Sequence, residues 1–242
     1  NLNYRFKDST VSNSPKPGYK YMGPGLYMFP AYQDTIRSCI LHSPLNPKKE
    51  YAYSDLGFIL LKFAVEHVTE KSLDQYCQEE FYRKLGMHHT DFLAHKRLNK
   101  NNLVPSCVDK LYRKTELKGY VHDPVAALLG GIAGHAGLFS TAEDLAKMMQ
   151  LYLNGGTYGG EYYFSPETMA TFSCKNNLFP KNRRGLGFDK PEPDQTKINP
   201  VSKCLPLTSF GHTGFTGIMA WCDPDNKLLY LFLSNRTYPD EF

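Results

Sequence analysis

His212 and Thr213 stand side by side between Gly211 and Gly214, inside the run Phe210-Gly211-His212-Thr213-Gly214-Phe215-Thr216-Gly217. An imidazole nitrogen and a threonine hydroxyl can both donate hydrogen bonds. Glycines in an extended strand let another molecule's backbone or carboxylate approach closely. Chemistry of that kind is recognition of an anionic or carbonyl group. The run is not a helix interior, because each glycine costs about 1 kcal/mol there relative to alanine. The run alone fits a second reading equally well, in which the glycines admit a neighbouring element and His212 is a hydrogen-bonded core residue. A second chemical cluster is Tyr53-Ser54-Asp55, a phenol placed immediately before a helical pattern.

Other chemistries leave weaker marks. His88, His89 and His95 lie in a polar stretch with no carboxylate at ligand spacing, so no metal site is expected. The glycine-rich stretch Gly130 to Ser140 lacks the Lys-Ser/Thr pair that closes a phosphate cradle. Its glycines are expected to allow close approach to a neighbouring element, and no cofactor is expected. His122 and His135 flank that stretch and have two readings, lining the cleft or making a structural hydrogen bond, of which the second is favoured. A glycosidase needs two carboxylates across a cleft, and no distinctive pair is present.

The elements that must position these residues are legible from periodicity. Leu56, Ile59, Leu60 and Phe63 mark an amphipathic helix over about 55–68, with Ser54 as its N-cap. A second helix over 72–85 opens on a Ser72/Gln75 capping box and stops at Gly86. Residues 87–121 read as loops with at most one short helical piece. His122-Asp123-Pro124 opens a short apolar helix, Thr141 starts a third long one over 141–154, and Ser165-Pro166-Glu167 starts a short one. Gly185 to Phe188 reads as a short strand. Residues 210–221 and 227–235 read as adjacent antiparallel strands joined at Asp223-Pro224-Asp225-Asn226, the second buried on both faces.

Taken in order, Tyr53-Ser54-Asp55, Gly134 to Ser140, Gly185 to Phe188 and Gly211-His212-Thr213-Gly214 resemble the serine β-lactamase and penicillin-binding family, most nearly its class C and D-alanyl-D-alanine carboxypeptidase-like branch. The resemblance runs from about Pro44 to Pro239. Tyr120-Val121-His122-Asp123, Ala136 to Ser140 and Leu233-Ser234-Asn235-Arg236 further resemble the β-lactamase-like domains that some Bacteroidetes carry fused behind a family 3 glycoside hydrolase. The implied fold is α/β (α+β), an antiparallel sheet flanked by helices and incomplete on its N-terminal side. A single partial domain is implied over 1–242, with an irregular lead-in over 1–44, a mainly helical region over 45–209 and sheet strands over 210–242. Helices are expected to cover the sheet, and Tyr53 and His212 to face one cleft.

The resemblance also implies roles. Tyr53 would assist proton transfer to and from a nucleophilic serine. Asp55 occupies the place of an asparagine whose amide donates to the substrate carbonyl, although an ionised Asp only accepts. His212, Thr213 and Gly214 match the Lys/His-Thr-Gly motif, whose cation and hydroxyl hold a substrate carboxylate. The Phe215 N–H would supply half of the oxyanion hole. The family's nucleophile is the Ser of Ser-x-x-Lys. No serine of this chain has Lys three residues later; Ser12 with Lys16 and Ser106 with Lys110 are spaced by four. The nucleophile is therefore expected upstream, and the chain to be the back two thirds of a domain. Two functions follow: acyl transfer on a β-lactam, D-alanyl peptide or ester, or a non-catalytic module that binds peptidoglycan or supports an adjoining hydrolase. The resemblance implies a periplasmic or cell-surface setting.

Composition fits this picture. The chain has 242 residues, 41% apolar, and a net charge of +4 from scattered Lys and Arg, without the basic stripe of a nucleic-acid binder. Six cysteines show no C-x-x-C pair and no ligand spacing with histidine, and no apolar run is long enough to span a membrane. Expected partners are a small molecule or peptidoglycan peptide and an upstream segment of the same protein.

Overall fold

The computed structural model describes residues 10–48, 50–179 and 182–240. Two long helices lie close to where periodicity puts them, α2 at Leu56–Thr69 and α6 at Ala142–Leu153, and the short α5 (Pro124–Leu128) and α7 (Pro166–Ser173) start where expected. Three of their caps follow the expected chemistry. Asp123, Thr141 and Ser165 accept from the N–H groups of Ala126, Asp144 and Thr168, satisfying donors that a helix start leaves orphaned.

Two caps differ. Asp55, not Ser54, is the N-cap of α2, and its side chain makes no capping bond; the Ser54 hydroxyl accepts from the Leu56 N–H instead. The Ser72/Gln75 box does not form, because Gln75 donates to Glu79. Glu66 of α2 accepts the Leu73 N–H at 3.0 Å and so caps the next helix from outside it. That helix is also not continuous. α3 (Leu73–Cys77) gives way to a π-helical turn, Gln78–Tyr82, with Phe81 and Tyr82 both packed in an aromatic cluster against α6.

The lead-in up to residue 44 is more ordered than its prolines and glycines suggest. Of it, residues 1–9 lie outside the described residues. The rest forms a three-stranded antiparallel sheet, β1 (Val11–Ser12), β3 (Leu26–Met28) and β2 (Lys20–Gly23) in that order, followed by α1 (Tyr32–Leu41). Leu26, Met28, Ile36 and Ile40 bury themselves against Ile59 of α2 and Ala126 to Leu129, forming one core. Strands this short carry no readable period. Residues 87–121 likewise hold more than loops: a single helical turn α4 (Ala94–Arg97), a 3₁₀ turn at Lys100–Asn102 and a hairpin of β4 (Pro105–Asp109) with β5 (Thr115–Lys118). A two-residue pair, β6 (Thr157–Tyr158) with β7 (Glu161–Tyr162), follows α6.

The second sheet has the order β10-β9-β8 and is antiparallel throughout. Residues 210–221 are not one strand. β8 (Phe210–Gly214) turns at Phe215–Gly217 into β9 (Ile218–Asp223), which pairs with β10 (Leu228–Leu233). β8 is thus an edge strand of this sheet. Gly185 to Phe188 is no strand either: Gly187 has φ +92 and the Gly185 N–H turns back to the Phe188 carbonyl. Only Asp189 makes a bridge, to Gly211. α6 covers one face of the sheet, with Met149 and Leu145 packed on Phe210, Cys222, Leu229 and Leu231. The opposite face of β10 is open: Leu228, Tyr230 and Phe232 are 60%, 56% and 53% exposed, so this strand is not buried on both faces.

Candidate active site

Three chain segments converge on the mouth of α2. The Tyr53 ring, half exposed just before the helix, lies 6.3 Å from the His212 ring of β8, centroid to centroid. Arg184 binds the two together. Its guanidinium sits 4.9 Å over the Tyr53 ring, its Nη1 is 2.8 Å from His212 Nε2, and its Nη2 donates to Asp189 at 2.9 Å. Asp189 is held in turn by the backbone bridge to Gly211 on β8 and by Arg183, which donates to the same carboxylate oxygen. His212 Nδ1 lies 2.6 Å from the Thr213 carbonyl.

These contacts fix where the His212 proton sits. A guanidinium only donates, so Nε2 must present a lone pair to Arg184, and Nδ1 carries the hydrogen that points at the carbonyl of Thr213. The permanent positive charge beside Tyr53 therefore belongs to Arg184. Tyr53 itself keeps its proton more firmly than a free phenol. Partial burial raises its pKa above 10.0, Asp55 adds to the rise, and the Arg184 charge opposes it.

Thr213 and Gly214 are exposed at the open end of β8, and Phe215 at the turn is 61% exposed. The Phe215 ring is flanked by His122, at 5.4 Å, and by the Arg236 guanidinium, at 4.7 Å. Arg236 and Ser234 donate their N–H groups to the carbonyls of Thr216 and Gly217, which pins the turn. A side chain at Gly217 would collide with Ser234 and Arg236, at a φ of +105 that favours glycine. The Phe215 N–H donates to no backbone acceptor among the described residues. Gly211 answers the two readings of its run in favour of packing, since a Cβ there would strike Ala220 and Trp221 of β9. Gly214 remains open for approach.

Asp55 is exposed at the start of α2 and carries no amide to donate. The glycine-rich loop touches α2 at Gly134, where a Cβ would run into the Phe58 carbonyl. His135 makes the structural bond expected of it, with Nε2 2.9 Å from Asp123. Burial pushes the Asp123 carboxyl up, but His135 and the Ala126 N–H outweigh it and hold the pKa below 3.8. Sequence reasoning missed Arg184 and Asp189 and gave Arg236 no role. Two consecutive arginines before Gly185 are the only sign of the first.

The sequence profile of the family described as Beta-lactamase matches residues 17–242. The chain belongs to that family. It is 35% identical over 213 residues to a protein of Escherichia coli K12 named "Putative D-alanyl-D-alanine carboxypeptidase", covering 82% of this chain and 48% of that one. A protein of the same name from Salmonella gallinarum is 32% identical, covering 87% of this chain and 51% of its own length. The chain thus spans about half the length of these relatives. Solved structures agree on the fold. Simvastatin synthase from Aspergillus terreus superposes with a TM-score of 0.56 at 17% identity, over 90% of this chain and 60% of its own. A penicillin-binding protein homologue from Caulobacter crescentus gives 0.55 at 18% identity, over 80% and 55%. The β-lactamase/transpeptidase-like fold, with helices against antiparallel sheets, is the one the sequence motifs imply.

Proposed function

We propose that the chain supplies the substrate-facing half of an acyl-transferring serine-hydrolase site that acts on a β-lactam, a D-alanyl peptide or a small ester. The observation that carries this reading is the meeting of Tyr53 with His212-Thr213, from segments about 160 residues apart, at one exposed mouth. Tyr53 would relay a proton, Thr213 and its cationic neighbour would hold a carboxylate, and the Phe215 N–H would face the oxyanion. The nucleophile would come from outside residues 1–242, on a segment of the same protein, because no Ser-x-x-Lys occurs here. The free backbone edge of β10 suits the same segment as an added strand, and its open apolar face suits packing by that segment. On this reading residues 1–242 are one partial domain. The name of the Escherichia coli relative supports a cell-envelope setting and a peptidoglycan-peptide substrate; no helix among the described residues is long and apolar enough to cross a membrane. Asp55 in place of an amide favours a second reading, a module that binds without catalysis, such as one attached to a glycoside hydrolase.

Intact-mass spectrometry after incubation with a reactive β-lactam decides between them. An acyl-enzyme needs a nucleophile, a base and two oxyanion donors. The 242-residue chain is expected to gain no adduct, and a longer form carrying a Ser-x-x-Lys to gain one equivalent. A stoichiometric adduct on a serine of the 242-residue chain overturns the external nucleophile; no adduct on a folded longer form favours the binding module.

A further inference from the structure

We propose that the groove between the π-helical turn Gln78–Tyr82 and the β6–β7 hairpin binds a neutral oligosaccharide. None of its lining residues belongs to the site at Tyr53, and the proposal does not rest on the acyl-transfer reading. The groove is open and holds about 600 Å³, within the range of small-ligand sites. Its helical wall carries Tyr76 and Phe81, and its hairpin wall carries Tyr162, Tyr163 and Phe164.

Both walls are held in place by the fold. Phe81 stacks on Phe164 at 5.5 Å and on Tyr163 at 6.5 Å, with Tyr76 edge-on at 6.1 Å, so ring contacts fix the aromatic floor. The N–H groups of Tyr163 and Phe164 both donate to the Gly156 carbonyl, and the Gly156 N–H donates to Leu151 of α6, which ties the hairpin to that helix. A Cβ at Gly156 would strike the Phe164 carbonyl, at a φ of +103 that favours glycine. Tyr162 is different: it is 82% exposed and makes no ring contact among the described residues, so a broad aromatic face stands in water.

The charged lining narrows the ligand class. Lys84 Nζ is taken by Glu80 at 2.6 Å, whereas the Glu161 carboxylate has no hydrogen-bond or ion-pair partner among the described residues. Two carboxylates against one ammonium disfavour an anion such as a phosphate. A purely apolar ligand would strip water from Glu161 and give nothing back. A cation would meet Lys84 already in the groove, and Phe81, Tyr163 and Phe164 turn to one another instead of surrounding a charge as cation–π recognition requires. A pyranose fits what is left. The C–H groups on its flat side carry the partial positive charge that an aromatic face attracts, and its hydroxyls donate to a carboxylate and exchange hydrogen bonds with phenols.

The test is ¹H–¹⁵N NMR titration of the 242-residue chain with cellotetraose, tri-N-acetylchitotriose and maltotriose. At least one should shift the Tyr162, Tyr163 and Phe164 signals, with a dissociation constant of about 1 mM or tighter. Tyr162→Ala removes an exposed ring and leaves the floor intact; it should weaken that binding about fivefold, the worth of one aromatic contact. Tyr162→Trp should keep or strengthen it, and His212→Gln should leave it unchanged. No shift at these residues with any of the three sugars, at about ten times that concentration, overturns the proposal. So does binding that Tyr162→Ala leaves at full strength, or that His212→Gln removes. Choline chloride is the control for a cation: if it binds at Tyr162 more tightly than every sugar and is lost in Glu161→Gln, the groove is a cation site and the proposal falls. Should Tyr162→Ala lose its amide dispersion, the wild-type titrations and Tyr162→Trp decide alone. Failure of the acyl-enzyme experiment would leave the sugar titration untouched, so the two are separable.

Discussion

At Tyr53 neighbouring charges and a partial loss of water compete, and their signs can be read separately. Burial and the nearby Asp55 raise the phenol pKa above 10.0, while Arg184 lowers it. Asp55→Asn should therefore bring the Tyr53 pKa down, and Arg184→Met should send it further up, both followed by ¹³Cζ-tyrosine NMR with Tyr53→Phe as the assignment control. No movement in either variant would mean that burial alone sets the value, and movement in the same direction for both would contradict the opposite signs of the two charges. Because the folded pKa lies above the unfolded one, the linked stability is complete below about pH 10 and declines as pH rises through the folded value.

At the scale of elements, the site rests on contacts that reach across chain segments. Asp123 caps α5 and holds His135, so one carboxylate fixes both the helix and the glycine-rich loop. Asp123→Ala should cost about 1–2 kcal/mol as a lost cap, with more lost because His135 would then have no partner; thermal or urea unfolding measures it. The pH sign is the reverse of that for Tyr53. The folded Asp123 pKa is depressed, so its contribution is present above the ordinary 3.8 and is lost as pH falls through the folded value. In Asp123→Ala the decline in stability below pH 4 should be shallower than in the wild type. Glu66 plays a similar part for α3, accepting the Leu73 N–H that Ser72 leaves.

Across the whole molecule, α6 is the divider. One side packs the aromatic cluster of α3 and its π-helical turn, and the other packs the sheet that carries His212. The sheet's second face exposes Leu228, Tyr230 and Phe232 along an edge strand, a surface prone to pairing with other chains. Phe232→Lys should reduce concentration-dependent association of the 242-residue chain, seen by sedimentation, with little change in Tm. Leu231→Ala, on the face that packs on α6, should instead cost about 2 kcal/mol or more. Equal effects of the two changes would contradict the two-faced assignment of β10.

The sequence by itself determined α2 and α6, the caps Asp123, Thr141 and Ser165 and the motif residues Tyr53, His212 and Thr213, because amphipathic period, capping chemistry and glycine spacing are local and survive in a single chain. It left out α1 and the break after α3. It did not disclose the small N-terminal sheet, the β4–β5 hairpin or the break in the 210–221 run, whose strands are too short to show a period. Tertiary structure decided what those residues face. Glu66 replaced Ser72 as a cap from another helix, Trp221 claimed the space at Gly211, and Arg184 reached the site from a loop with no pattern. A side chain's partner is set by packing between distant segments, and the charge beside Tyr53 was settled there, when a guanidinium with nothing to accept met the lone pair of His212.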